Sequence, residues 1–260
     1  MSDGPFLYGD RRRASSFGDD AEQYDRVRPP YPGPLIDRLL SDRPTAVLDV
    51  GCGTGIASRL FMARGCHVLG LEPDARMASV ARRRGVTVEE ARFEDWDAGS
   101  RQFDLLIAAQ AWHWVDPHAG AAKAADVLHP GGRIGLFWNQ PHPDPQIDAA
   151  LQRAYARWAP ELGRNSVLLG QRDVSLYSAI ADAVRATERF TEVAIDLFEH
   201  EAVYPTETWL DLTVTHSDHR TLPPGQLRAL LQALRAELES SGGQVPVRYE
   251  TTLVSGRTRP

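Results

Sequence analysis

The sequence predicts an α/β fold built on a parallel sheet. Three observations carry this: short, near-continuous apolar runs, longer helix-forming stretches alternating with them, and a glycine-rich turn where the first run ends. Runs without polar alternation belong to strands covered on both faces, which is how βαβ units bury a parallel sheet. The chain has 260 residues, 42% hydrophobic and 25% charged, enough to bury one large core.

Residues 1–44 read as an arm, stiffened by Pro29, Pro30, Pro32 and Pro34 and ending in a short helix at 35–40. Residues 45–140 form the core. Its strands fall at 46–50, 67–71, 86–88, 103–109 and 133–138. Between them, 56–64, 74–84 and 117–128 are rich in Ala, Arg and Met and close on Gly65, Gly85 and the Pro130-Gly131-Gly132 turn, the pattern of crossover helices. A break follows at 141–145, marked by its prolines. Helical patterns then place lid insertions over 141–190 and 205–243, while strand-like residues at 191–204 and 247–258 complete the sheet. There is no internal repeat, so the reading is one domain, 1–260, with helical segments over its ligand edge.

Charge narrows the partners. With 29 Lys and Arg against 35 Asp and Glu, the net charge is −6, and no global positive field exists to gather nucleic acid or anionic lipid. The basic triplets Arg11-Arg12-Arg13 and Arg82-Arg83-Arg84 fit a solvated tail and a helix end. No window approaches the roughly 20 apolar residues of a membrane span, and the N-terminus lacks a signal-like apolar stretch; the expectation is a cytoplasmic protein with no membrane contact. Cys52 and Cys66 are too few for a disulfide framework or a four-ligand zinc site, and no metal is expected.

The first strand runs into Asp49-Val50-Gly51-Cys52-Gly53-Thr54-Gly55 and then a helix, at the carboxyl edge where α/β sheets bind ligands. Glycine there permits a tight turn, positive φ and close approach of a ligand to the backbone. Such a turn also serves simple helix-on-strand packing. Glu72 sits at the tip of the second strand, about 20 residues on, where an acid accepts hydrogen bonds from ribose hydroxyls. The pair points to a nucleoside ligand. Two remain: a dinucleotide, or S-adenosylmethionine with its sulfonium and α-ammonium. Asp49 repels a diphosphate and attracts the ammonium, and the spacing is G-x-G-x-G rather than G-x-G-x-x-G, so the sequence leans to the cationic ligand.

Four stretches, VLDVGCGTG, LGLEPDARM, FDLLIAAQAWHWVDP and VLHPGGRIGLFWN, together with YDRVRPPYP in the arm, resemble the class I S-adenosylmethionine-dependent methyltransferases, within them the type 11, trans-aconitate methyltransferase-like group. The resemblance implies a Rossmann-like, doubly wound, mostly parallel seven-stranded sheet with an antiparallel last strand. It implies that Asp49, Gly51, Cys52 and Gly53 surround the methionine part, Glu72 the ribose, and Pro73 and Met77 the adenine face. Phe93 and Glu94 would flank the adenine, and Ala109 and Gln110 would pass near the methionine moiety.

Methyl transfer from a sulfonium is an in-line displacement in which the donor carries the reactivity, so the protein supplies orientation and a dry pocket. A carboxylate acceptor needs no base; a phenol or ammonium must lose a proton. His113, between Trp112 and Trp114, is the candidate base or orienting group, with bracing of its loop as the plainer reading. In the arm, Tyr24, Arg28 and Tyr31 are placed to close over the cofactor, with Tyr31 a second catalytic candidate and Arg28 able to grip a carboxylate. His216, in the lid, is more simply a surface histidine. The resulting expectation is a methyltransferase acting on a small molecule at oxygen. Its alternatives are a nicotinamide-dependent oxidoreductase and a non-catalytic S-adenosylmethionine-binding regulator.

Overall fold

The computed structural model describes residues 8, 18, 20–163, 168 and 174–260; Arg11-Arg12-Arg13 lies outside them, as do residues 164–167 and 169–173 of the first lid segment. The strands are β1 (Ala46–Val50), β2 (His67–Leu71), β3 (Thr87–Glu89), β4 (Phe103–Ala109), β5 (Leu128–Pro143), β6 (Phe190–Pro205) and β7 (Gln244–Thr258). They form one sheet in the order β3-β2-β1-β4-β5-β7-β6. β1 to β5 are parallel, and β7 runs antiparallel to both β5 and β6. The strand order reverses between β1 and β4, which opens a crevice at their carboxyl ends.

The helices used below are α1 (Ala21–Val27), α2 (Gly33–Leu39), α3 (Ile56–Met62), α4 (Ala75–Arg83), α5 (Pro117–Val127), α6 (Pro145–Trp158), α7 (Pro160–Gly163), α8 (Val174–Ala186), α9 (Thr206–Val214), α10 (Ser217–Arg220) and α11 (Pro224–Ser240). Period-two alternation sends Leu48, Leu106 and Leu136 into one face of the sheet, where Ala121, Ala124 and Ala125 of α5 and Ile180 and Val184 of α8 meet them. Val47, Leu105 and Phe137 face the other way, onto Leu35, Ile36 and Leu39 of α2 and Phe61 of α3. The sheet is thus covered on both sides, as its apolar runs require.

Beyond the sheet's carboxyl edge, the long β6–β7 ribbon carries Tyr204, Val245, Val247 and Tyr249 into a separate apolar cluster with Leu151 and Tyr155 of α6, Trp209 of α9 and Leu230, Leu234 and Leu238 of α11. Three expectations differ from this picture. The break expected at 141–145 lies partly inside β5, whose Pro141 and Pro143 pair with Tyr249 and Val247 of β7. β4 pairs with β5 only as far as Phe137, so beyond that point one side of β5 has no β4 partner, and prolines there remove no ladder hydrogen bond. The Pro130-Gly131-Gly132 turn is a bulge within β5, taken up by a register shift between Phe103 and Leu105. Finally, α8, assigned to the lid from its position in the chain, packs on the sheet face beside α5, because its Ile180, Ala181 and Val184 match that surface.

Candidate active site

A cavity of about 520 Å³ opens over the carboxyl ends of β1, β2 and β4. Its floor is the glycine turn. Gly51 and Gly53 adopt φ of +68° and +57°, and a Cβ on Gly51 would stand 2.6 Å from that of Ala111. The turn therefore depends on glycine for conformation as well as space.

Glu72 is buried at the rim. Its Oε2 accepts the Gly53 N–H at 2.9 Å and its Oε1 accepts the Asp74 N–H at 2.9 Å, so the carboxylate ties the turn to the start of α4. Burial pushes its carboxyl up to about 7, opposed by those two hydrogen bonds and aided by the charges of Asp74 and Asp49. Asp74 caps α4 by accepting the Arg76 N–H.

Asp49 lies beneath the turn and is fully buried. The Ser58 hydroxyl donates to its Oδ2 at 2.5 Å, whereas Oδ1 has no hydrogen-bond partner. Burial pushes its carboxyl up to about 7. A buried, half-satisfied carboxylate is costly unless a cation or donor completes it. This donor set fits the positively charged S-adenosylmethionine. It does not fit a diphosphate, because the Asp49 carboxylate beneath the glycine turn would repel the phosphates.

Pro73, Met77, Phe93, Glu94, Ala109, Gln110 and Tyr24 line the same cavity. Phe93 is only 3% exposed, with its ring packed on Trp112 at 5.9 Å, so ring stacking on an adenine would need that packing to shift. Glu94 Oε1 accepts the Asp116 N–H at 3.3 Å. Gln110 has φ +56°, unusual for a residue other than glycine, and donates from Nε2 to the Asn139 carbonyl at 2.9 Å. That strained position ends β4 and turns the chain along the cavity wall.

Five proposed site residues lie off this wall. Asp49 is behind it, as described. Cys52 turns instead toward α4 and Gly70, in a cluster with Ala78, Ala81 and Val88, because the neighbouring glycines supply the ligand face and the alternate position points back into the core. Tyr31 stacks edge-on against Phe137 at 4.7 Å; burial and the nearby Tyr24 and Asp49 hold its phenol well above the ordinary range, so it is a neutral donor and not a base. Arg28 lies over the Tyr24 ring at 4.7 Å and donates to Thr215 through Nε (Oγ1, 2.9 Å) and Nη2 (carbonyl, 2.8 Å). His113 accepts the Trp138 indole N–H on Nδ1 at 3.1 Å. An indole only donates, so Nδ1 carries no proton, and in the neutral ring the proton is on Nε2. The imidazole is therefore arranged as a donor.

Sequence reasoning missed the parts of the wall made by Tyr8, Ala91 and Arg92. Arg92 and Ala91 adjoin Phe93 and were reachable by proximity; Tyr8 carried no signal. Ser58 also went unnoticed, since its contact with Asp49 crosses from α3 to β1. His216 precedes a buried chain in which Asp218 Oδ1 meets His219 Nδ1 at 2.8 Å and His219 Nε2 meets the Tyr155 hydroxyl at 2.6 Å. Among the described residues, no group of three or more His, Cys, Asp or Glu is arranged to hold a metal, and no helix is long and apolar enough to cross a membrane.

Comparison with known proteins matches these features to one chemistry. A family model described as a methyltransferase domain covers residues 47–132. An uncharacterized methyltransferase of Mycobacterium bovis is 32% identical over 94% of this chain and 96% of its own length. Nocamycin O-methyltransferase of Saccharothrix syringae is 30% identical over 91% of this chain and 95% of its own. Among solved structures, a putative type II methyltransferase from Anaeromyxobacter dehalogenans superposes with a TM-score of 0.64 at 27% identity, covering 90% of this chain and 99% of that one.

Proposed function

This chain belongs to the class I S-adenosylmethionine-dependent methyltransferases, and from that premise we propose that it methylates an oxygen of a small-molecule acceptor, a carboxylate, entering beneath the arm. The family does not favour the oxidoreductase and regulator readings. S-adenosylmethionine, when bound, supplies an electrophilic methyl on a sulfonium. The residues that would hold it are Glu72 at the ribose, Gly51 and Gly53 against the methionine part, and Asp49 toward the ammonium.

The observation that carries the acceptor class is the lack of a poised base among the candidates. His113 has Nδ1 committed to Trp138, and Tyr31 is held as a neutral phenol. A carboxylate acceptor is already nucleophilic and needs neither to take its proton. Arg28 supports the same reading: it is half-buried, fixed by Thr215, and has no carboxylate partner among the described residues. With Nε and Nη2 held by Thr215 and no carboxylate partner among the described residues, its charge favours an anion met through its remaining N–H groups. The relative named for nocamycin is an O-methyltransferase, which is consistent with chemistry at oxygen.

The test is a panel of carboxylic acids, phenols and amines at saturating cofactor, read by release of S-adenosylhomocysteine. Turnover of acids, with kcat level between pH 6 and 8, is the expected result. Turnover confined to phenols or amines, rising with pH, would overturn the acceptor class and leave the cofactor assignment standing.

A further inference from the structure

Asp49 is surrounded by acids. The titratable groups that feel its charge are Tyr31 from the segment after α1, Cys52 within the glycine turn and Glu72 at the end of β2, and each of these is pushed up by it. Arg28 acts on Tyr31 and is not among the groups that set the ionisation of Asp49. Among the described residues, no Lys, Arg or His forms an ion pair with Asp49, and its carboxylate is fully buried. A carboxylate so placed tends to take up a proton, and a protonated Asp49 cannot attract an ammonium.

Ser58 opposes this through its side chain and its backbone, and only the side-chain contact can be removed by substitution. Ser58, on the first turn of α3 and itself fully buried, donates its hydroxyl to Asp49 Oδ2 at 2.5 Å, and this leaves the unpartnered Oδ1 as the only oxygen available to a ligand. We propose that Ser58 is a positioning residue of the cofactor site: its hydroxyl holds Oδ2 of Asp49 and reserves the unpartnered Oδ1 for the α-ammonium of the cofactor. The inference rests on the role given above to Asp49. The hydroxyl does two things at once. It satisfies one oxygen with a charge-assisted hydrogen bond, which lowers the cost of the anion, and it restrains the carboxylate while leaving the other oxygen unpartnered. Without it, Asp49 would hold its proton to higher pH, and the pH at which cofactor affinity levels off would move upward.

Calorimetric titration of S-adenosylhomocysteine between pH 6 and 9 tests this, using the wild-type chain, Ser58→Ala, Ser58→Thr and Asp49→Asn. The wild-type affinity should rise about tenfold from pH 6 and level off near pH 8. Ser58→Ala should bind about tenfold more weakly at pH 7, with its plateau displaced upward by about one pH unit or more, while Ser58→Thr follows the wild type. A loss in Ser58→Ala that is equal at every pH, or a profile that superposes on the wild type, overturns the inference. Unchanged affinity in Asp49→Asn would remove the premise about Asp49 as well; weakened Asp49→Asn beside an unaffected Ser58→Ala would sink Ser58 alone. Should Ser58→Ala not fold, Ser58→Cys, similar in volume and only a weak donor, carries the same comparison.

Discussion

Asp49 and Glu72 make the stability of the cofactor-depleted protein depend on pH in an unusual direction. Their folded carboxyls titrate near 7, above ordinary values of 3.8 and 4.5. Between about pH 4 and 7 the folded chain therefore binds more protons than the unfolded one, and the stability these groups contribute at low pH is lost as pH rises through 7. The Tm of the depleted protein should fall over that window, and the fall should shrink when S-adenosylhomocysteine is added; thermal melts at fixed ionic strength check both. Glu72→Ala removes the proposed ribose acceptor and the tie to Gly53 and Asp74 together. Cofactor affinity should weaken by on the order of 2–4 kcal/mol by calorimetry, with a lower Tm. Glu72 was legible because its place is set by strand length and by its distance from the glycines. Ser58 was not, because nothing in the eight intervening residues announces a contact that only the packing of α3 on β1 creates.

The arm is held by side chains at both ends of α1. Asp25, nearly buried, takes Arg59 of α3 at 2.9 Å and Arg84, just past α4, at 3.0 Å; Gln23 donates to Asp211 of α9 at 3.0 Å, and Arg28 grips Thr215. Asn139 donates to the Pro30 carbonyl at 3.0 Å and accepts from the Thr251 hydroxyl at 2.7 Å, so the proline segment is moored to β5 and β7. Asp25→Ala leaves two guanidiniums without their common partner. It should speed cofactor release measured by stopped flow, because Tyr24 lines the cavity from this helix, with a stability loss of about 1–3 kcal/mol. Arg28→Ala should raise the acceptor KM tenfold or more and leave cofactor affinity alone, since Arg28 lies off the cofactor wall. Prolines at 29–34 signalled a stiff arm; its moorings are long-range and carried no local pattern.

At the scale of the molecule, two apolar cores divide the labour. The sheet and its flanking helices shape the cofactor crevice, and α6, α9 and α11 pack on the β6–β7 ribbon beyond it. Leu234→Ala, in the centre of that second core, should cost about 2–5 kcal/mol and broaden the melt before cofactor affinity is affected, as measured by calorimetry against denaturant. The core strands, the glycine turn and its acidic partner could be read from the chain, because each rests on local periodicity or on a short spacing that backbone geometry enforces. The position of α8 on the sheet, the tautomer of His113, the neutral phenol of Tyr31 and the orphaned oxygen of Asp49 depended on the folded molecule. Each arises where residues distant in sequence exclude water together, and burial and hydrogen-bond completion are properties of that assembled environment rather than of any segment alone.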